Sequence, residues 1–524
     1  MTDSSKQPTA TGPESTNQAG AQGPRTPSMA ASLSVMGVLI LFILTSVALF
    51  GGDAADGALQ VSITMATIVA VGVAGYYGFR GSVITQAIQS GVGGAISTVF
   101  VVIAIGTVIG TLYLAGSVST FVYYGADLIS PRFFFVTVFV IAAALSIMLG
   151  SSLTTVGAVG IAFVGLAQIA DVSEYITAGA AVSGAILGNK VAKISDTANL
   201  TVSTIGGGLT IEEHSRTVTR TMIPTAVICA VVYLVIGLFG DAGDKSIDVD
   251  QVHQTIEQAF NVSWWAFVPI LSIFVLSLLR FSAFMSLTLS ALVSVVIAAF
   301  TQNDIIRAQA DDPDGSYFRA VIEVGIDVFA NGFALDSGND QLDSLFSGGG
   351  VASMLTTVWL ILVAAAFGGV ASYTGMLKRI IDPVIAKCKG PMSLVLATMG
   401  TGIGLNLATA DPYSSIVLTG SMYRDEYKKQ RLKPVLLSTS MADSGTTLSH
   451  IIPWNVNGAV FAGTLGLAAA KWGPVTLFAY VTPFVSVVMI RAYLLRKNQL
   501  ATDAEADEAY ASRPAEPNKS PGLA

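Results

Sequence analysis

Long apolar runs separated by short polar stretches dominate this chain. Residues 31–50, ASLSVMGVLILFILTSVALF, carry no charge over about the ~20 residues a helix needs to cross a bilayer. Comparable spans or part-spans fall at 57–77, 91–114, 133–149, 153–168, 176–188, 198–208, 221–239, 265–279, 282–300, 351–371, 391–408, 412–420, 434–441, 451–469 and 473–492. The runs are continuous rather than alternating, so they predict helices and argue against a membrane β-barrel. Several are too short to cross alone and are interrupted by Gly, Ser, Thr, Asn or Asp instead of by ordinary loops. Broken helices at membrane depth are tolerated only where protein or a wet cavity satisfies the freed backbone groups. The pattern predicts an all-α polytopic membrane protein with interrupted helices.

Composition agrees. Charged residues make up 12% of the 524 residues, about half the roughly 25% of a soluble domain, and the mean hydropathy is +0.67. The net charge of −7 comes from tails and loops and says little about partners. Cys229 and Cys388 set up no disulfide framework. Residues 1–30 are rich in Pro, Gly, Ser and Thr and read as a disordered tail, as do residues 496–524. Lys and Arg in short loops orient the chain. SMYRDEYKKQRLK (421–433) and RAYLLRK (491–497) place those loops, and both termini, in the cytoplasm; the acidic stretch 240–258 then lies outside.

Residues 81–240 can be laid over 341–495 as two repeats. Tyr113 then meets Tyr373, Pro131 meets Pro391 and Ser151 meets Asp411; further on, Asp196 meets Asp443 and Pro224 meets Pro474. The loop charges give the two copies opposite orientations, the inverted repeat of secondary transporters. Residues 31–80 become additional N-terminal membrane helices, and 241–340 linking helices and loops.

Four polar stretches interrupt the apolar runs: GSSLTTVGAVG (150–160), GNKVAKISDTANL (188–200), GLNLATADPYSS (404–415) and ADSGTTLSHIIPWN (442–455). An isolated acid at mid-membrane costs about 2.5–3.5 kcal/mol, so Asp196, Asp411 and Asp443 point to use. Carboxylates beside hydroxyls and amides are the hard oxygen ligands that a small cation needs. A buried carboxylate can also hold a proton, and one occupant excludes the other, which is the simplest basis for cation/proton exchange. Ser and Thr hydroxyls in such stretches can equally bond their own backbone. His450 is open to a structural role or to proton carrying and pH sensing. Lys190 and Lys193 are open to snorkelling, to pairing with Asp196 and to contact with a solute.

Together these four stretches resemble the NhaC-type sodium/proton antiporter family over about residues 80–495. The resemblance implies inverted repeats with re-entrant hairpins and broken helices meeting near the membrane centre. It implies exchange of internal Na+ for external H+, with no cofactor. Carried onto this chain, the family's acids fall on Asp196, Asp411 and Asp443, with Na+ assigned to Asp196 and Asp443. Its polar positions fall on Ser151, Thr154, Asn199, Thr446 and Asn455. Some members couple Na+ and H+ to malate/lactate exchange or amino-acid uptake. Where the family pattern has an aspartate and a proline, this chain has Asn189 and Lys193, which makes the site more positive. The alternative expectation is therefore transport of an organic carboxylate or amino acid, with Lys190 or Lys193 clamping the solute.

The expected function is a secondary transporter of the cytoplasmic membrane exchanging Na+ for H+ by alternating access, and homodimerisation is expected only by analogy of fold. The three histidines, His214, His253 and His450, do not have the spacing of a HExxH zinc protease. No Walker-type loop supports ATP-driven pumping.

Overall fold

A computed structural model describes residues 25–511 except 129, 241–248, 339–342 and 344. Residues 1–24 and 512–524, parts of the two expected tails, and residues 241–248 of the acidic 240–258 stretch lie outside the described residues. Among those described, ten helices are long and apolar enough to cross a membrane, and strand-like pairing is limited to two isolated bridges. This is an all-α, multi-pass membrane protein.

The chain opens with α1 (Met29–Phe50) and α2 (Ala58–Tyr76), followed by α3 (Gly81–Leu114). Then come α4 (Pro131–Leu149), α5 (Ser152–Ile169), α6 (Glu174–Val191), α7 (Asp196–Ile205) and α8 (Ile211–Phe239). A connecting region includes α9 (Ala283–Thr301). The second half contains α10 (Gly350–Tyr373), α11 (Met376–Ala386), α12 (Pro391–Thr409), α13 (Pro412–Lys429) and α14 (Pro434–Ala442). It ends with α15 (Val456–Leu465), α16 (Leu477–Lys497) and α17 (Asp503–Tyr510).

Helices that are apolar all round belong in lipid, and α1 shows how one packs. A narrow stripe of Val35, Leu39 and Ile43 is buried against the protein, while Ile40, Leu41 and Leu44 are exposed on the outer side. Buried apolar residues form two clusters, one around α3–α6 and α8–α9, the other around α1, α2 and α11–α14. Between them, α10 gives Ile361 and Ala365 to the first and Leu360, Ala364 and Phe367 to the second.

Small residues set the tightest crossings, because apolar lipid gives helices little reason to associate except close packing. Where α3 meets α10, a Cβ added at Gly91 would lie 2.2 Å from the Ala365 carbonyl oxygen. Likewise α6 presses onto α4 so closely that a Cβ at Gly184 would lie 2.3 Å from the Phe139 carbonyl oxygen.

Several helices exceed the expected apolar runs. α3 begins at Gly81 rather than near 91, and α8 at Ile211 rather than near 221, because polar first turns continue the helix outward. α13 runs past its expected end near 420 to Lys429. Amphipathic helices such as Ser117–Leu128, Tyr317–Asn331 and α11 escape a search for apolar runs. The expectation of disorder throughout 496–524 is corrected at α17. Thr502 caps this helix by accepting from Glu505 N, and Ala506 and Tyr510 are buried against the body of the protein.

Candidate functional site

Two hairpin tips and one helix start meet at a cavity. α4 ends at Gly150, which is left-handed with φ 68°, and Ser151 turns extended to cap α5, its Oγ accepting from Thr154 N at 3.2 Å. α12 ends at Ala410, left-handed with φ 54°, and Asp411 turns extended to cap α13. Its Oδ1 accepts from Tyr413 N at 3.2 Å, and its Oδ2 from Ser414 N at 2.8 Å and Ser414 Oγ at 2.6 Å. Pro412 at the first helical position adds a φ already suited to a helix. α6 breaks at Ala192, and Ser195 caps α7 so that Asp196 lies in its first turn, where the helix dipole favours a negative charge.

The cavity has a volume of about 1340 Å³, and Ser151, Thr154, Asp196, Asn199, Asp411 and Ser414 line it. Asp411 is engaged as a cap, whereas among the described residues no donor and no cation pairs with the Asp196 carboxylate. Asn199 donates to Ser195 O at 2.9 Å and leaves its amide oxygen for the cavity. The hydroxyls of Ser151 and Thr154 bond each other at 3.0 Å. Local bonding and a place on the cavity thus coexist in these two.

Both cationic groups at the rim belong to exposed side chains, Lys193 and Arg280. Lys193 pairs with Glu212 at 2.7 Å rather than with Asp196.

The other expected residues form a separate, sealed polar region. Asp443 is fully buried where α14 ends; Ser486 Oγ donates to its Oδ2 at 2.7 Å, while Oδ1 has no hydrogen-bond partner among the described residues. Lys190, also buried, donates to Thr446 Oγ1, and its charge acts on Asp443. A space of about 10 Å³ separates Lys190 from Ser195, Thr197 and His214, close to the minimum that holds one water.

His450 ties the second half to α5, and Asn455 ties α15 to α12. The Thr447 carbonyl at 3.2 Å must accept from His450 Nδ1, which assigns Nε2 as the acceptor from Ser152 Oγ at 3.2 Å and Asn457 Nδ2 at 3.4 Å. Asn455 caps α15 and donates to Asn406 Oδ1 at 3.2 Å. Asn189 presents a buried Oδ1 with no hydrogen-bond partner among the described residues.

Three contributors were missed in the sequence. Ser414 lies in one of the polar stretches and was available there. Arg280 and Ser486 stand in apolar surroundings that give no signal; only the folded chain brings them to the cavity and to Asp443.

The model of the Na+/H+ antiporter family matches residues 194–492. The Na+/H+ antiporter NhaC of Alkalihalophilus pseudofirmus is 28% identical over 457 residues, 87% of this chain and 94% of that protein. The Na+/H+ antiporter NhaC of Bacillus subtilis is 30% identical over 433 residues, 82% of this chain and 91% of that protein. A malate-2H+/Na+-lactate antiporter, also from Bacillus subtilis, is 26% identical over 468 residues, 88% of this chain and 94% of that protein.

Proposed function

The chain belongs to the Na+/H+ antiporter family, and on that premise we propose that it is a secondary active transporter exchanging Na+ for H+ across the membrane. The observation that carries this reading is the Asp196 carboxylate, unpaired by protein groups and facing a cavity shared with Asp411, Asn199, Ser151 and Thr154. A Na+ entering the cavity trades part of its hydration shell for these oxygens, the hard donors a small cation accepts. A proton on Asp196 removes the negative charge that holds the ion, so the two compete for one position. Reorientation of either loaded form then couples the opposed movements, as alternating access requires.

Asp411 adds a second negative charge at the cavity while holding the α13 terminus in place. Asp443, with Lys190 and Thr446 beside it, is assigned as the acid that reorientation makes accessible. The basic stretch 421–433, the last turns of α13 and the turn after it, and the rim cations Lys193 and Arg280 support a cavity open to the cytoplasm of a cell membrane, with both termini on that side.

A second reading draws on the size of the cavity. About 1340 Å³ far exceeds one hydrated sodium, and the rim cations suit a carboxylate, so an organic anion could travel with the coupling ions.

The deciding measurement is internal pH in sealed vesicles containing the purified protein while Na+ is added outside. Asp196→Asn is expected to abolish Na+-dependent proton movement without loss of folded protein. Normal exchange in that variant sinks the assignment. Proton movement that starts only when malate or lactate is supplied favours the second reading.

A further inference from the structure

A groove of about 440 Å³ runs along α12 on the outside of the protein, away from the ion cavity. Its floor includes Gly400, Gly404 and Ala408, and its walls include Met36 of α1 and Ile380 and Val384 of α11. A Cβ placed at Gly400 or Gly404 meets nothing within 4 Å. These glycines therefore do not admit another helix of this chain, as Gly91 and Gly184 do, but leave a channel open to the membrane.

The groove follows α12 from Leu396 to Ala408, about 18 Å at 1.5 Å per residue. One leaflet contributes half of the roughly 30 Å hydrocarbon core, so the groove accommodates most of one acyl chain's depth.

Basic residues flank the part of α11 that lines the groove. Leu377, Ile380, Ile381 and Val384 give α11 one apolar face towards the groove, while Lys378 and Arg379 are exposed. Lys387 and Lys389 follow in the turn to α12 and are exposed too. Between Met376 and Gly390 the sequence contains a single acid, Asp382. None of the four cations belongs to an ion pair among the described residues. An amphipathic helix with a basic outer face lies in the membrane interface and attracts anionic headgroups.

We propose that this groove binds an anionic phospholipid, with one acyl chain along α12 and the headgroup held by the positive field of Lys378, Arg379, Lys387 and Lys389 around α11. Because α12 ends at the Ala410–Asp411 break, the lipid would buttress the helix that carries a cavity acid.

The full-length protein, incorporated into vesicles of mixed phosphatidylcholine and phosphatidylglycerol and then re-extracted in mild detergent, would be analysed for retained lipid by mass spectrometry. Phosphatidylglycerol is expected to be enriched over phosphatidylcholine. Neutralising the four cations to Gln should remove that enrichment, each change weakening binding by roughly fivefold. Gly404→Leu should displace the chain while preserving the fold, since the added side chain enters open space and leucine favours a helix; a monodisperse elution profile checks this. Equal retention of the two lipids by the unmodified protein overturns the proposal. So does undiminished enrichment in both variants, or a loss of dimer in Gly404→Leu with lipid unchanged, which would assign the groove to a second copy.

Discussion

Ser151, at φ −143° and ψ 121°, and Asp411, at φ −133° and ψ 120°, share one backbone conformation. Each directly follows a left-handed residue that closes a helix, each caps the next helix, and both line the same cavity. The correspondence supports our proposal that 81–240 and 341–495 are inverted repeats, with a hydroxyl in one copy where the other has a carboxylate.

Replacing Asp411 separates its two duties. Asp411→Ser keeps an oxygen able to cap α13 but removes the charge, whereas Asp411→Ala also removes the cap, a loss of about 1 kcal/mol. The serine variant is expected to melt above the alanine variant in detergent, with Na+ affinity weakened in both. Equal melting temperatures would show that the cap carries no stability.

Ala410 holds a left-handed conformation that costs a residue with a Cβ roughly 1–2 kcal/mol. Ala410→Gly is therefore expected to raise thermal stability by about 1 kcal/mol. A lower melting temperature would mean that lost packing of the methyl group outweighs the relieved backbone.

Lys190 and Asp443 are best tested together. Both are buried, and each feels the other's charge without an ion pair within 4 Å among the described residues, so removing one is expected to leave the other less well compensated, at less than the ~3–5 kcal/mol of a broken contact pair. Asp443→Asn and Lys190→Met are each expected to lower the unfolding midpoint, and the double variant to recover most of the loss. Additive losses in a double-mutant cycle would show that the two charges do not compensate each other.

The docking of α17 should depend on pH in a defined direction. Arg431 meets Asp503 at 2.6 and 3.1 Å, and its hydrogen bonds and charge hold that carboxyl below the usual aspartate range. The stabilisation is complete above the free aspartate value of about 3.9 and fades as pH falls through the lower docked value. Between pH 6 and 8 docking is expected to be constant. At neutral pH, Tyr510→Ala should release the segment instead, since the buried Tyr510 hydroxyl donates to Leu432 O at 3.0 Å. Hydrogen exchange at the Gly208 amide, which donates to Ala509 O at 3.1 Å, reads out both. Unchanged protection in Tyr510→Ala would refute the docking role.

The membrane helices were legible because lipid imposes one chemical demand on every exposed residue, and long apolar runs satisfy it visibly. The breaks at Gly150–Ser151 and Ala410–Asp411 were legible because glycine, capping oxygens and a following proline have local meaning. The sorting of the acids was not. Asp196 and Asp443 come from similar polar stretches, yet one faces the cavity and the other is sealed beside Lys190. That division depends on which helices pack together, and no local spacing encodes it. The pairing of Lys193 with Glu212 was hidden in the same way. For α17 a local signal did exist, the Thr502-x-x-Glu505 spacing, in which Thr502 Oγ1 accepts from Glu505 N and the Glu505 carboxylate accepts from the Ala501 amide, but acidic composition obscured it.

α3 has two unlike halves. Ser97 and Thr98 on its first half line the wet cavity, whereas every residue from Ala104 to Leu114 is buried, about 16 Å of packed helix. Water in the cavity conducts, and the packed half insulates. With water filling the cavity, most of a transmembrane voltage would fall across that thin plug, steepening the field well beyond its average over the bilayer. On the mechanism we propose, an ion would reach Asp196 from the cavity with little electrical work, leaving nearly all of the ~2.3 kcal/mol per charge that 100 mV supplies to act on the step that carries the site past the plug. The rate of exchange, rather than the affinity for Na+ on the cavity side, is where voltage should be felt.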